Sequence, residues 1–182
     1  MSYRQADRTH QAVFQWLKTE RETQAGQDAL IYLDETGFQS TQVYPSGWSP
    51  QGQPCHGQRL GGYGERWNLI AALRAGTQSL IEPFYYQGST YRAWFEVWLE
   101  RLCQTLQGKT HYLILDNAAF HHGGRIQAIA QSYGQVLMYL PPYSPELNPI
   151  EHRWATLKQK VLLLREHGLS LLAAIEQVIC SA

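Results

Sequence analysis

The sequence predicts an α/β fold in which a mixed five-stranded sheet is flanked by helices. Two observations predict it: short apolar runs bounded by turn residues, and apolar residues that recur at helical spacing between and after those runs. With 182 residues, 44% of them hydrophobic, the chain can bury one sizeable core but not two ordinary ones. We therefore expect one domain over residues 28–182. Residues 1–27 form a lead-in helical segment, whose thin apolar face is Val13, Phe14 and Leu17.

The first three predicted strands follow the lead-in segment. Residues 29–33 are a short apolar run that ends at Asp34, and Glu35-Thr36-Gly37 is expected to break the strand there. Turn clusters then separate further apolar stretches, of which residues 67–73 and 80–86 are the clearest. We expect these stretches to be antiparallel strands that follow the first.

Helices alternate with strands in the second half of the chain. Apolar residues at helical spacing behind a Ser89 cap predict a helix that extends to Leu106. A buried strand over residues 112–115 comes next, and a short helix over residues 125–133 leads to a third apolar strand over residues 136–140.

The last long helix is predicted to open at Asn148-Pro149, a cap residue followed by proline at the first helical position. Its buried stripe consists of residues spaced by three and four: Ile150, Trp154, Leu157, Val161 and Leu164. A final helix covers residues 170–179. The complete order is three antiparallel strands, helix, strand, helix, strand, helix, which is the ribonuclease-H-like, or retroviral-integrase-like, order.

Three carboxylates are the candidate catalytic and metal-binding residues. Asp34 and Asp116 each follow a buried strand, and reactive groups in open α/β sheets collect at the carboxyl ends of strands. Glu151 joins them from the first turn of a helix, beside Ile150 on the buried stripe. Hard oxygen ligands favour Mg²⁺ or Mn²⁺, and two such ions roughly 4 Å apart could activate the attacking oxygen and stabilise the leaving one at a phosphodiester.

Each carboxylate also has a non-catalytic interpretation. Asp34 and Asp116 could be ordinary turn formers at strand ends. Glu151 stands three residues after Asn148, so it could complete a capping box at the start of the helix. Only the joint pattern of the three residues favours a metal site.

Several neighbouring polar residues can be interpreted in more than one way. Strand alternation turns Glu35 to the other face of the sheet, and Glu146 falls in the loop before the helix, so we expect neither to be the third ligand. Asn117 and His121 could support the ligands or contact phosphate, or could simply hold a loop together. Lys158 could meet a DNA phosphate, although an ordinary solvated lysine is the simpler account.

Three segments together resemble the DDE transposases of the mariner superfamily. They are Leu33-Asp34-Glu35-Thr36-Gly37-Phe38, Leu115-Asp116-Asn117-Ala118 with His121, and the block from Leu140-Pro141-Pro142-Tyr143-Ser144-Pro145 through Asn148-Pro149-Ile150-Glu151-His152-Arg153-Trp154. The 34 residues between Asp116 and Glu151 are typical of the bacterial insertion-sequence branch, the IS-six-thirty group. Residues 47–52 and 66–73 also resemble the intervening strands of that branch, so the resemblance covers residues 29–160.

The resemblance implies a mechanism and partners. Asp34 would bridge two Mg²⁺ or Mn²⁺ ions, and Asp116 and Glu151 would complete one site each. The reaction would be hydrolysis at the terminal inverted repeats of a transposon, followed by attack of the 3′-hydroxyl on a TA-containing DNA target, in a homodimer. No helix-turn-helix region precedes the first strand, so we expect an upstream DNA-binding frame, joined by frameshifting or by association.

Composition limits the other function classes. The 15 Lys and Arg residues balance 15 Asp and Glu residues, which argues against a domain that grips DNA tightly by itself. Cys55, Cys103 and Cys180 are scattered singly, so we expect no disulfide framework and a reducing compartment. No apolar run is long enough to cross a membrane, and we expect a bacterial cytoplasmic, nucleoid-associated protein.

Two alternatives to an active transposase stay open. The chain could be an inactive remnant that only binds DNA or protein, which intact carboxylates do not exclude. An aspartyl phosphatase of the haloacid-dehalogenase type is the second alternative, because a strand-end aspartate is its nucleophile. That family requires a further aspartate two residues on, where this chain has Thr36.

Overall fold

A computed structural model describes residues 7–41, 50–52 and 64–181 of the chain. The strands are β1 (Leu30–Gln39), β2 (Arg66–Arg74), β3 (Leu80–Tyr86), β4 (Tyr112–Leu115) and β5 (Val136–Tyr139). The α-helices are α1 (Arg8–Ala25), α2 (Arg92–Thr105), α3 (Gly124–Ser132), α4 (Ile150–Glu166) and α5 (Leu171–Cys180). Residues 47–49 of the resemblance drawn for residues 47–52 lie outside the described ranges, as does Cys55.

The strands form one mixed sheet in the order β3-β2-β1-β4-β5. β1 pairs antiparallel with β2, and β2 pairs antiparallel with β3. β4 pairs parallel with both β1 and β5. The predicted mixed five-stranded sheet flanked by helices is confirmed.

The predicted end of the first strand is wrong. Glu35-Thr36-Gly37 does not break it, and β1 continues as far as Gln39. The reason is non-local, because β2 supplies an antiparallel partner along the whole stretch from Ile31 to Gln39. The partner strand outweighs the weak strand propensity of these residues.

Helix starts also differ from the sequence prediction at two places. α2 begins at Arg92 with Tyr91 as its cap residue, and Ser89 lies before the helix. α4 begins at Ile150 with Pro149 at the cap position. Pro149 already has helical backbone angles, with φ −64° and ψ −19°, so this difference is one residue at a helix end.

Successive residues of β1 supply two separate hydrophobic cores, one on each face of the sheet. Leu30 and Tyr32 pack in the cluster that contains Trp154 of α4, whereas Ile31 and Leu33 pack in the cluster that contains Phe95 of α2. This alternation is the ordinary consequence of the two-residue repeat of a strand. It means that Asp34 and Glu35, the next two residues, belong to opposite faces.

The lead-in helix packs thinly against the rest of the molecule. The Asp7 carboxylate caps α1 by accepting a hydrogen bond from the Thr9 backbone N–H at 2.8 Å. Phe14 is its one buried residue and joins the hydrophobic cluster of α4, while Val13 is 51% exposed.

Of the helices in the described ranges, none is long and apolar enough to cross a membrane.

Candidate active site

One cleft at the end of the sheet brings the three predicted carboxylates together. Asp34, Asp116 and Glu151 all line it, and its volume is about 490 Å³. The remaining wall is formed by Asn117 and Ala118 after β4 and by the proline-rich loop: Leu140, Pro141, Pro142, Tyr143, Ser144, Pro145 and Asn148.

Strand register explains why the two aspartates meet. Tyr32 of β1 is the partner of Ile114 in the parallel β4 ladder, so two residues further along each strand Asp34 and Asp116 come level. β4 ends at Leu115 while β1 continues against β2. The end of the shorter strand therefore opens the cleft beside Asp34.

Glu151 reaches the cleft from the start of α4. The residues on either side of it along the helix face, Ile150 and Trp154, are fully buried and fix α4 on the sheet. Glu151 itself is exposed toward the solvent of the cleft.

The capping-box interpretation of Glu151 does not fit the observed helix start. The Asn148 backbone N–H, which a capping-box carboxylate would accept from, donates to the Pro145 carbonyl at 2.9 Å. The Asn148 side chain makes no capping hydrogen bond among the described residues, and its buried Oδ1 has no partner there. Glu151 is thus available to the cleft.

Asp34 lies in surroundings that resist its ionisation. Its Oδ2 accepts a hydrogen bond from the Trp154 indole N–H at 3.0 Å, and its Oδ1 accepts one from the Glu35 backbone N–H at 2.8 Å. Burial, followed by the nearby negative charge of Glu151, raises the pKa of Asp34 to about 7. The tryptophan and backbone donors only partly offset those two effects.

Asp116 has the opposite environment. Its Oδ1 accepts hydrogen bonds from the His121 Nδ1 at 2.7 Å and from the Ala118 backbone N–H at 2.9 Å. Its side chain is 51% exposed. The hydrogen bond from His121 is the main cause that lowers the pKa of Asp116, so this carboxylate is ionised at neutral pH.

His121 is buried between two carboxylates. Its Nδ1 contacts Asp116, and its Nε2 lies 3.1 Å from the Glu35 Oε1. Burial alone would lower the pKa of His121, but the hydrogen bonds and charges of Asp116 and Glu35 raise it to about 9. The sequence leaves open whether His121 supports a metal ligand or phosphate, or only holds a loop together. In the structure, its Nδ1 contacts Asp116, a candidate ligand.

The other predicted residues fall into two groups. Asn117 lines the cleft, and its side-chain Nδ2 donates to the Leu140 carbonyl, which ties the end of β4 to the proline-rich loop. Lys158 does not line the cleft. Glu146 also lies outside it, where its Oε1 accepts from the Gln11 Nε2 at 2.7 Å, and Glu35 lies on the opposite face of the sheet from Asp34, as predicted.

Sequence reasoning missed two features of the site. Helical spacing predicts only a core role for Trp154, although its indole N–H donates to Asp34. Strand alternation predicts that Glu35 faces away from the cleft, and its contact with His121 has no sequence signal because the two residues are 86 positions apart.

The donor set fits hard divalent cations. Carboxylate oxygens are the ligands that Mg²⁺ and Mn²⁺ prefer, and Glu151 is close enough for its negative charge to raise the pKa of Asp34. Within the described ranges, however, no group of three or more His, Cys, Asp or Glu side chains is close enough to hold a single ion. The three carboxylates therefore suit ions that each bind one or two protein carboxylates and take their remaining ligands from water or phosphate, as Mg²⁺ commonly does.

Solved structures resemble this chain in fold. The Mos1 transposase paired-end complex with left transposon end gives a TM-score of 0.71 at 13% identity, and the match covers 98% of this chain and 62% of that chain. The Mos1 mariner paired-end complex with Mn gives 0.70 at 17% identity, covering 86% and 50%. The catalytic core domain of BIV integrase gives 0.54 at 15% identity, covering 85% and 82%.

These similarities confirm the predicted ribonuclease-H-like fold, which is shared by transposase and integrase catalytic cores. At such low sequence identities, the similarities are evidence for a shared fold and for nothing more. The chain also spans less than two thirds of the Mos1 chains that it matches.

Sequence comparison identifies the family. No curated protein matches this chain in sequence. A family model described as DDE superfamily endonuclease matches residues 29–168, a range that includes all three carboxylates of the cleft. The chain belongs to the DDE superfamily endonuclease family.

Proposed function

We propose that this chain is the catalytic domain of a DNA transposase, which cuts transposon ends and joins them to target DNA with Asp34, Asp116 and Glu151. The observation that carries the proposal is that these three carboxylates line one open cleft in a member of the DDE superfamily endonuclease family. The similarity in fold to Mos1 transposase complexes, one of them with a transposon end, supports the same substrate class.

Two Mg²⁺ or Mn²⁺ ions are the proposed cofactors. Asp34 would be shared between them, with Asp116 on one side and Glu151 on the other, so no ion needs three protein carboxylates. When bound, such ions supply a polarised attacking oxygen and charge stabilisation of the leaving one. Similar structures determined with Mn and with Mg support this choice of metals.

The protein's own contribution is to hold its ligands in place. The Trp154 indole N–H and the Glu35 backbone N–H fix both oxygens of Asp34 from inside the molecule. His121 and the Ala118 N–H both bind one oxygen of Asp116, a residue that lines the cleft. Ligands held in this way are arranged before the substrate arrives, which lowers the cost of reorganisation during reaction.

The finer assignments are also proposals. The chain would belong to the insertion-sequence branch of the mariner superfamily, act on terminal inverted repeats and a TA-containing target, and work as a homodimer in the bacterial cytoplasm near the nucleoid. Its equal numbers of acidic and basic residues are consistent with a catalytic domain whose tight DNA binding depends on a separate helix-turn-helix segment.

A nicking assay tests the proposal. The substrate is a supercoiled plasmid that carries the DNA flanking the gene on both sides, including any inverted repeats bounded by TA. We expect nicking that requires Mg²⁺ or Mn²⁺ and falls more than about a hundredfold in Asp116→Asn, because a direct ligand is lost. Glu166→Gln is the matched control, since that exposed side chain lies at the opposite end of α4 from Glu151, outside the cleft, and should leave nicking unchanged.

Two results would contradict this function. Binding of the plasmid without nicking, at any divalent ion concentration, would identify an inactive remnant. Turnover of a phosphomonoester such as para-nitrophenyl phosphate, without DNA and lost in Asp34→Asn, would identify an aspartyl phosphatase instead.

A further inference from the structure

The imidazole of His121 joins two acidic side chains that come from different strands. Its Nδ1 lies 2.7 Å from the Asp116 Oδ1, and its Nε2 lies 3.1 Å from the Glu35 Oε1. Both ring nitrogens must donate a proton, because each faces a carboxylate oxygen. The result is a continuous chain from Glu35 through His121 to Asp116.

The ring of His121 is enclosed by aromatic side chains. Its centroid is 4.5 Å from that of Phe95 and 4.3 Å from that of Phe120, and the side chain is only 1% exposed. The backbone is held as well, since the His121 N–H donates to the Ala118 carbonyl and the His121 carbonyl accepts from the Tyr139 hydroxyl at 2.8 Å. Two contacts with carboxylates are the polar anchors of an otherwise apolar pocket.

Among the described residues, the Glu35 side chain touches the site only through this histidine. It does not line the cleft, and its position next to Asp34 in β1 points it to the face of the sheet that carries α2. Its side chain is 17% exposed, so it is largely shielded from solvent. A contact at Nε2 fixes the rotation of the ring and so fixes the direction in which Nδ1 points.

Asp116 needs such support more than Asp34 does. It follows a strand of four residues and its side chain is half exposed, so packing restricts its rotamer less than it would for a buried side chain. We propose that Glu35 is a positioning residue, which acts through His121 to hold the Asp116 carboxylate in the direction required for a divalent cation. This inference rests on the proposed function, because it assumes that Asp116 binds the ion.

Binding of Mn²⁺ alone to the full chain, followed by electron paramagnetic resonance, is the test. We expect Glu35→Ala to raise the Kd for Mn²⁺ about ten- to a hundredfold, the usual effect of removing support behind a metal ligand. Glu35→Gln should have a smaller effect, since its amide oxygen still accepts from Nε2. Glu96→Ala is the matched control, because Glu96 on α2 pairs with Arg125 on α3 and, within the described ranges, makes no hydrogen bond or ion pair with His121.

A double-variant experiment separates positioning from direct ligation. If Glu35 acts through the ring, Glu35→Ala should cause no further loss in a chain that already carries His121→Ala. An additional loss of the same size would show that Glu35 reaches the ion by another route and would overturn the proposal. So would a Glu35→Ala chain whose Kd equals that of the parent chain.

Failure of this inference is distinguishable from failure of the proposed function. A parent chain that binds Mn²⁺ and nicks DNA, with Glu35 variants that match it in Kd, removes only the positioning role. A parent chain that neither binds Mn²⁺ nor nicks DNA removes the proposed function and the inference with it. Glu35→Gln keeps the test valid if the alanine variant does not fold.

Discussion

Asp34 in β1 and Asp116, the residue that follows the parallel strand β4, lie level with each other, yet their surroundings differ in almost every respect. Asp34 is largely buried, accepts from the neutral indole of Trp154 and lies near the negative charge of Glu151. Asp116 is half exposed and accepts from His121, which is itself held by a second carboxylate. The pKa of Asp34 is raised to about 7, and that of Asp116 is lowered.

The difference shows that strand-end position alone does not decide the chemistry of a carboxylate. The neighbours supplied by each face of the sheet decide it, because α4 brings an acid toward Asp34 while the turn after β4 brings a base toward Asp116. Asp116 is ionised at neutral pH, whereas Asp34 is only partly ionised there. Three predictions test this comparison, from the largest expected effect to the smallest.

Removal of the Trp154 side chain, which supports Asp34 from α4, should have the largest effect. It is 2% exposed, so Trp154→Ala should lower the free energy of unfolding by about 3–5 kcal/mol through lost packing. Urea denaturation measures this. Leu163→Ala on the same helix is the control, because Leu163 is 50% exposed and its loss should cost less than about 0.5 kcal/mol. Equal costs for the two variants would contradict the packing of α4 on β1.

Binding of Mg²⁺ should depend on pH through Asp34. An ion binds the ionised carboxylate, and with a pKa of about 7 the ionised fraction rises roughly tenfold between pH 6 and pH 8. We therefore expect the Kd for Mg²⁺, measured by calorimetry, to fall by about tenfold over that interval. Asp34→Asn should bind weakly at both values, with no such dependence. A Kd that is flat from pH 6 to pH 8 in the parent chain would refute the environment inferred for Asp34.

Removing each charge should change the stability of the metal-free protein in opposite directions. Because the folded pKa of Asp34 is raised, the stability that this group provides is complete below pH 4 and is lost as pH rises through about 7. Asp34→Asn should therefore stabilise the fold at pH 8, by on the order of 1 kcal/mol, and have little effect below pH 4. The folded pKa of Asp116 is lowered, so its contribution is present above pH 4 and Asp116→Asn should destabilise the fold at pH 8.

Thermal unfolding in the presence of a chelator measures both variants under the same conditions. Shifts of the melting temperature in the same direction at pH 8 would show that the two aspartates are not in the contrasting environments described above.

Local patterns in the sequence predicted most of the fold. Runs such as Leu113 to Leu115 and the stripe from Ile150 to Trp154 are visible without a structure, because burial on a strand or a helix imposes a fixed repeat. They placed the strands and helices in the right order. Turn signals misled at Glu35-Thr36-Gly37, where pairing with a distant strand overrides local preference.

The meeting of the three carboxylates in one cleft was predictable, but their contacts were not. Asp34, Asp116 and Glu151 each have a definite place at the end of a strand or the start of a helix, and such places can be read from the sequence. Their partners could not, since the Trp154 contact spans 120 positions and the Glu35 contact with His121 spans 86. Side-chain partners at such separations depend on register and rotamer, which a linear pattern does not contain.

The side chain of Gln11 makes the cleft wall depend on a part of the chain outside the sheet. Its Nε2 donates to the Ser144 Oγ at 2.9 Å and to Glu146, and so fastens α1 to the proline-rich loop. A protein shortened to begin at residue 28 would keep all three acidic groups and the complete sheet, but it would lose this fastening and the Phe14 side chain from the core. The smallest fragment that retains the shape of the cleft must therefore start upstream of Gln11.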